Sequence, residues 1–149
     1  MGVSFGLLDF TENYQPKISH GIIMETGGMK GRRKEMVRDE LHDTLKQAFG
    51  VGEIHSEYGM TELLSQSYSQ GNGISRCSDT MKVLVRETND PLTVSAEGSG
   101  AINIIDLANI NSCSFLQTAD LGKVNADGSF TVAGRFDNAD VRGCNLMVI

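Results

Sequence analysis

The stretch His20-Gly21-Ile22-Ile23-Met24-Glu25-Thr26-Gly27-Gly28 carries the first decision about fold. Its short apolar run (HGIIM) suits a strand buried on both faces, as in a parallel sheet. Between Arg33 and Phe49 the period changes. Val37, Leu41, Leu45, Ala48 and Phe49 recur at three- and four-residue intervals, a helical stripe backed by Arg38, Asp39, Asp43 and Lys46. Gly50 and Gly52 are natural stop signals for that helix. Upstream, Val3 to Phe10 reads as another short strand. Downstream, the pattern predicts a third strand around Glu53–Ser56 and a brief helix from about Thr61. Residues 1–73 are therefore expected to form an α/β lobe, a partial parallel βαβ arrangement.

The second half changes character. Met81 to Arg86 and Ala101 to Leu107 read as strands, with a turn at Asn89-Asp90-Pro91. Val124 and Phe130 to Ala133 flank Asn125-Ala126-Asp127-Gly128, whose Asp-Gly pair is a hairpin signal. Strands at short spacing without helices predict a small antiparallel β-barrel-like lobe over residues 74–149. Gly71-Asn72-Gly73 is the expected boundary, being small, polar and placed where the pattern changes.

Composition narrows the function classes. The chain has 149 residues, 40% hydrophobic and 21% charged, which is ordinary for a globular protein and sufficient for a sizeable core. The net charge of −6 is evenly spread, seven Lys/Arg against ten Asp/Glu in residues 1–73 and six against nine in residues 74–149. No region carries the basic excess of a nucleic-acid binder. No apolar run approaches the ~20 residues that cross a bilayer. No signal peptide is visible, and Gly6 stands where N-myristoylation needs Ser or Thr. Cys77, Cys113 and Cys144 are widely spaced, with no C-x-x-C pair and no zinc-ligand spacing alongside His20, His42 and His55. The expectation is a soluble cytoplasmic protein with free thiols, without nucleic-acid or membrane partners.

Five segments have the residue types for chemistry. Glu25-Thr26-Gly27-Gly28 follows a strand and precedes a helix, so its glycines let a ligand approach the backbone; such pairs also arise for steric reasons alone. Lys30, Arg32, Arg33, Lys34 and Arg38 form a basic cluster, suited to a phosphate, to an acidic partner or simply to solvent. Tyr58-Gly59-Met60-Thr61-Glu62 offers an aromatic face for a planar base, a hydroxyl for a phosphate oxygen and a carboxylate for a hard cation such as magnesium. Thr118-Ala119-Asp120-Leu121-Gly122 places a carboxylate suited to two ribose hydroxyls, and Gly134-Arg135-Phe136-Asp137 adds an arginine for phosphate or ribose. Each also has a plainer reading: Tyr58 capping a strand, Asp120 a turn residue, Arg135 a surface ion-pair partner.

In this order, the Tyr-Gly-x-Thr-Glu, Thr-x-Asp-Leu-Gly and Gly-Arg-x-Asp motifs resemble those of the adenylate-forming (acyl-CoA synthetase-like) superfamily. The segments Glu25-Thr26-Gly27-Gly28-Met29-Lys30-Gly31 and Arg142-Gly143-Cys144-Asn145-Leu146 look most like its acyl-protein synthetase branch, the long-chain-fatty-acid luciferin-component ligases. The resemblance runs from about Ile18 to Leu146, the C-terminal part of such a protein. The Ser/Thr/Gly-rich phosphate loop of the family has no counterpart here, nor does the lysine-bearing C-terminal lid, which this branch generally lacks.

The resemblance implies ATP and magnesium as cofactors and a carboxylic or fatty acid as substrate. Gly27 and Gly28 would line the adenine and acyl groove, Tyr58 beside Gly59 would stack on adenine, and Thr61 would contact the α-phosphate. Glu62 would bind magnesium, Asp120 the ribose hydroxyls and Arg135 the ribose or phosphate. Cys144 would accept the acyl group, with Arg142 favouring its thiolate; its apolar surroundings equally suit a buried inert thiol. An acyl reductase or another acceptor protein would follow. A piece of this kind is expected to have little activity alone and to self-associate through an exposed sheet edge. Two alternatives stand beside this: a phenylacetate-CoA-ligase-like enzyme, or a non-catalytic interaction module meeting an acidic partner through the Lys30–Arg38 cluster.

Overall fold

The computed structural model describes residues 1–14, 16–18, 20–34 and 36–136. In chain order its elements are β1 (Gly2–Val3), α1 (Ser4–Tyr14), β2 (Met24–Thr26), α2 (Arg38–Phe49), β3 (His55–Tyr58), β4 (Ser67–Ser69), β5 (Ser75–Cys77), β6 (Met81–Arg86), β7 (Val94–Ser95), β8 (Gly98–Asp106), a 3-10 turn (Leu107–Asn109), β9 (Phe115–Val124) and β10 (Phe130–Arg135). The fold is α/β, and the chain divides into two compact units. One comprises Met1–Tyr58 and Ser69–Gly73, the other Gly59–Tyr68 and residues 74–136. Among the described residues no helix is long and apolar enough to cross a membrane.

In the first unit, β1 pairs in parallel with β2, and β2 in parallel with β3. Leu8, Ile23, Met29, Leu41, Leu45, Phe49 and Ile54 make one core, with Leu45 and Ile54 fully buried. The helical stripe places Leu41, Leu45 and Phe49 there as expected. Val37 does not join them. It stands at the helix N-cap and is exposed, because α2 begins only at Arg38. Gly50 takes the left-handed conformation (φ 70°) that ends the helix, its N–H reaching the Lys46 carbonyl at 2.9 Å.

The expected strand over Val3–Phe10 is corrected by the structure: only Gly2–Val3 is extended, and Ser4 starts a helix. Its buried residues are Ser4, Leu8 and Thr11, spaced for one face of a helix. Asp9 and Glu12, on the other side, both bind Arg33. Two of the three buried side chains are hydroxyls, so the stripe is faint on any hydrophobicity pattern.

The second unit is built of antiparallel strands in the order β5-β10-β9-β8-β6-β7. β6 covers Met81–Arg86, as read from the sequence, and pairs with β8 from Met81↔Asp106 to Arg86↔Ala101. Asn125-Ala126-Asp127-Gly128 closes the β9–β10 hairpin, with Gly128 at φ 78°. Val83, Val85, Ala101, Ile102, Ile104, Val124 and Phe130 are buried.

Candidate nucleotide site

The parallel strands of the first unit end together. Thr26 of β2 lies opposite Glu57 of β3, so Gly27 and Tyr58 leave neighbouring strands side by side at the carboxyl edge. That edge is where open α/β sheets bind ligands. Gly27 and Gly28 are both left-handed (φ 71° and 62°), a conformation that costs a side-chain-bearing residue about 1–2 kcal/mol. A Cβ placed on Gly28 would meet nothing within 4 Å, so its backbone faces open space. Met29, almost wholly buried, ties the loop down.

Beneath that loop lies a polar cluster not apparent from the sequence pattern. Glu25 is buried on β2, accepts the Ser4 hydroxyl at 2.8 Å and faces Nε2 of His42 at 3.6 Å; that nitrogen stands 3.4 Å from the Ser56 hydroxyl. Burial pushes the Glu25 carboxyl up, but hydrogen bonds from His42, Ser56 and Ser4 outweigh it and hold the group below its ordinary value. The cluster fastens β2 to α1, α2 and β3, and so fixes where the glycine loop begins. One signal was available: His42 adjoins Leu41 on the stripe that faces the core.

Tyr58 closes β3, and the next residues form a turn rather than the expected helix. The Leu63 N–H reaches the Met60 carbonyl at 3.0 Å, and the helix goes no further because Asp106 captures the following donors. Fully buried at the end of β8, Asp106 accepts the N–H groups of Leu64 (2.8 Å) and Ser65 (3.0 Å), the Ser65 hydroxyl (2.6 Å) and the Ala108 N–H (3.1 Å). Burial would raise its pKa; these four bonds prevail and lower it. Asn109 Nδ2 donates to the Glu62 carbonyl at 2.8 Å. The turn is thus held from behind while Thr61 and Glu62 stay on the surface.

Asp120 and Arg135 are brought together. They are paired residues on β9 and β10, with Arg135 Nε 3.5 Å from Asp120 Oδ1. The Asp120 N–H reaches the Thr118 hydroxyl at 3.1 Å, and that hydroxyl donates to the Ile102 carbonyl at 2.9 Å. Gly122 of the same motif has a packing reason. A Cβ there would collide with the Thr131 carbonyl oxygen and lie 2.8 Å from Ile102 Cδ1.

Much of the basic cluster is occupied structurally. Arg33 binds Asp9 and Glu12, Arg32 lies over the Phe5 ring at 5.4 Å, and Arg38 reaches the Gly73 carbonyl at 3.4 Å. Cys144 and Arg142 lie outside the described residues. Among the described residues no three His, Cys, Asp or Glu side chains are grouped to hold a metal. Magnesium typically needs only one or two carboxylates and takes its other oxygens from water and substrate phosphates, so a surface Glu62 fits that mode of binding.

No protein-family model and no curated relative matches the sequence. Solved structures do match in fold. ATP-bound MatB from Rhodopseudomonas palustris superposes with a TM-score of 0.65 at 16% identity, over 91% of this chain and 30% of that one. O-succinylbenzoate coenzyme A synthetase from Bacillus subtilis, in complex with ATP and magnesium, gives 0.59 at 19% identity over 89% and 30%. Coronafacic acid ligase from Pectobacterium brasiliense, as its R395G mutant, gives 0.61 at 17% over 90% and 28%. The chain spans about a third of the length of these proteins, and over that third it has their fold.

Proposed function

We propose that this chain is part of an ATP-dependent carboxylic-acid ligase that makes an acyl-adenylate. The observation that supports this most is the pairing of β2 with β3, which sets Gly27 and the open backbone of Gly28 beside Tyr58 at the carboxyl edge of the parallel strands. A base stacks on Tyr58, Thr61 donates to the α-phosphate, Glu62 holds magnesium, and Asp120 takes the ribose hydroxyls, with Arg135 alongside it. The substrate carboxylate attacks the α-phosphorus and pyrophosphate leaves. These residues act by positioning and by stabilising charge. In the acyl-protein synthetase reading, the Cys144 thiolate then attacks the acyl carbonyl and AMP leaves, and a fatty acyl group passes on to a reductase or another acceptor protein. We place the protein in the cytoplasm.

Calorimetric titration with a non-hydrolysable acyl-adenylate analogue and magnesium tests this. Binding is expected, weakened at least about 10-fold by Asp120→Ala, the loss of one charge-assisted hydrogen bond or more. No binding by the unaltered chain overturns the reading. A second reading, transfer to coenzyme A, is favoured by the fold shared with a coenzyme A synthetase. Cys144→Ser separates the two, because only transfer through the cysteine loses covalent acyl labelling.

A further inference from the structure

The second unit contains a buried cation that the functional reading above does not use. Arg86 ends β6 and is 6% exposed, and every acceptor around its guanidinium is neutral. Nη1 donates to the Ile102 carbonyl (3.0 Å) and Asn103 Oδ1 (2.8 Å), and Nη2 donates to the Thr118 carbonyl (2.9 Å). With the Gln117 amide turned so that its oxygen faces the arginine, that oxygen accepts Nε at 3.1 Å and Nη2 at 3.3 Å. Burial, with no carboxylate partner among the described residues, draws the guanidinium below its ordinary pKa. An apolar side chain would avoid that desolvation altogether.

The contacts fall on an irregularity of the sheet. β8 and β9 are in register at Ala101↔Leu121 and again at Asn103↔Gln117. Between those pairs, Ile102 alone stands opposite Thr118, Ala119 and Asp120, a bulge that interrupts the ladder. The other side of β9 is irregular as well, since β10 steps from Val132↔Gly122 to Gly134↔Leu121 past Ala133. Asp120 is therefore flanked by register shifts on both edges. The interrupted ladder leaves carbonyls to be satisfied, and a planar fork of five donors can reach several at once. Arg86 spans the bulge from the Ile102 carbonyl to the Thr118 carbonyl. Ile102 also receives the Thr118 hydroxyl, which in turn accepts the Asp120 N–H.

We propose that Arg86 is the positioning residue for Asp120: by bridging Ile102 and Thr118 it holds the bulge that aims the Asp120 carboxylate at the ribose hydroxyls of a bound adenylate. This rests on the nucleotide reading above. Arg86 touches no substrate, and its effect passes through the backbone of residues 118–120. It follows that ribose recognition in this chain depends on an arginine 34 residues upstream on another strand.

The test compares an acyl-adenylate analogue with its 2′,3′-dideoxyribose counterpart by calorimetry on the full chain. In the unaltered protein, removing the two hydroxyls is expected to weaken binding about 100-fold, the size for two charge-assisted hydrogen bonds. In Arg86→Gln the two analogues should bind alike, both near the affinity of the dideoxy analogue for the unaltered protein. Arg86→Lys, which keeps the charge but not the fork, should behave the same way and serves if Arg86→Gln does not fold. Amide exchange without ligand gives a second readout, expected at least 10-fold faster at Asp120 in either variant and unchanged at Val83. Equal weakening of both analogues, or unchanged exchange at Asp120, overturns the proposal and leaves the nucleotide reading standing. An unaltered protein that does not distinguish the analogues overturns both.

Discussion

The two units bury charge in different ways. In the first, Glu25 faces another titratable group, His42, with Ser4 and Ser56 completing the set. In the second, Asp106 and Arg86 each sit among neutral partners, amides, hydroxyls and carbonyls. The difference follows from what each unit must fix. A parallel sheet under helices has regular ladders, and one polar cluster suffices to fasten a strand end. The antiparallel unit carries a surface turn and a bulged strand whose backbone groups lack regular partners. Side chains with several donors or acceptors fill that need, and no buried side-chain nitrogen or oxygen among the described residues is left without a partner.

The largest expected effect tests whether apolar packing still dominates both units. Phe130→Ala, at a fully buried position of the second unit, should cost about 3–5 kcal/mol, and Leu45→Ala in the first about 2–5 kcal/mol, both read by chemical denaturation. If either cost less than about 1 kcal/mol, the polar sets rather than the cores would be holding that unit.

Acid titration sharpens the contrast between the charged sets. Glu25 and Asp106 are both held below their ordinary pKa in the folded state, so each stabilises the fold above the unfolded value. That contribution disappears as the pH falls through the lower, native value. Stability should therefore drop below about pH 4, and Asp106→Asn should flatten that drop while lowering stability at pH 7. A variant whose pH profile parallels that of the unaltered protein would show that Asp106 is not ionised there. The smallest effect belongs to the surface. Arg33→Ala removes the ion pairs with Asp9 and Glu12, both exposed, and should leave Tm unchanged within measurement.

Particular residues show how far the sequence could be read. The 81–86 strand was legible because Met81, Val83 and Val85 alternate with residues of the other face. The same alternation hid Arg86, which reads as solvent-facing and is buried instead. The glycine pair after β2 and the carboxylate of β9 were found as motifs, because their residue types suit phosphate and ribose chemistry. What supports them was not legible. Asp106 closes the run AINIID and looks like an ordinary strand end, and three of its four bonds come from residues about forty positions earlier. Helix α1 escaped because a short apolar run fits strand or helix equally well, and hydroxyls carried much of its buried face.

The anchoring of the Thr61–Glu62 turn by Asp106 has a consequence in time as well as in space. The donors at Leu64 and Ser65 leave the ribosome some forty residues before the carboxylate that receives them. Until β8 is made, those amides have only water, and the local sequence is free to try the helix that its pattern suggests. The turn thus rests on a long-range contact, one that requires closing a loop through β6. Whatever binds there meets a surface that exists only once the strand behind it is in place.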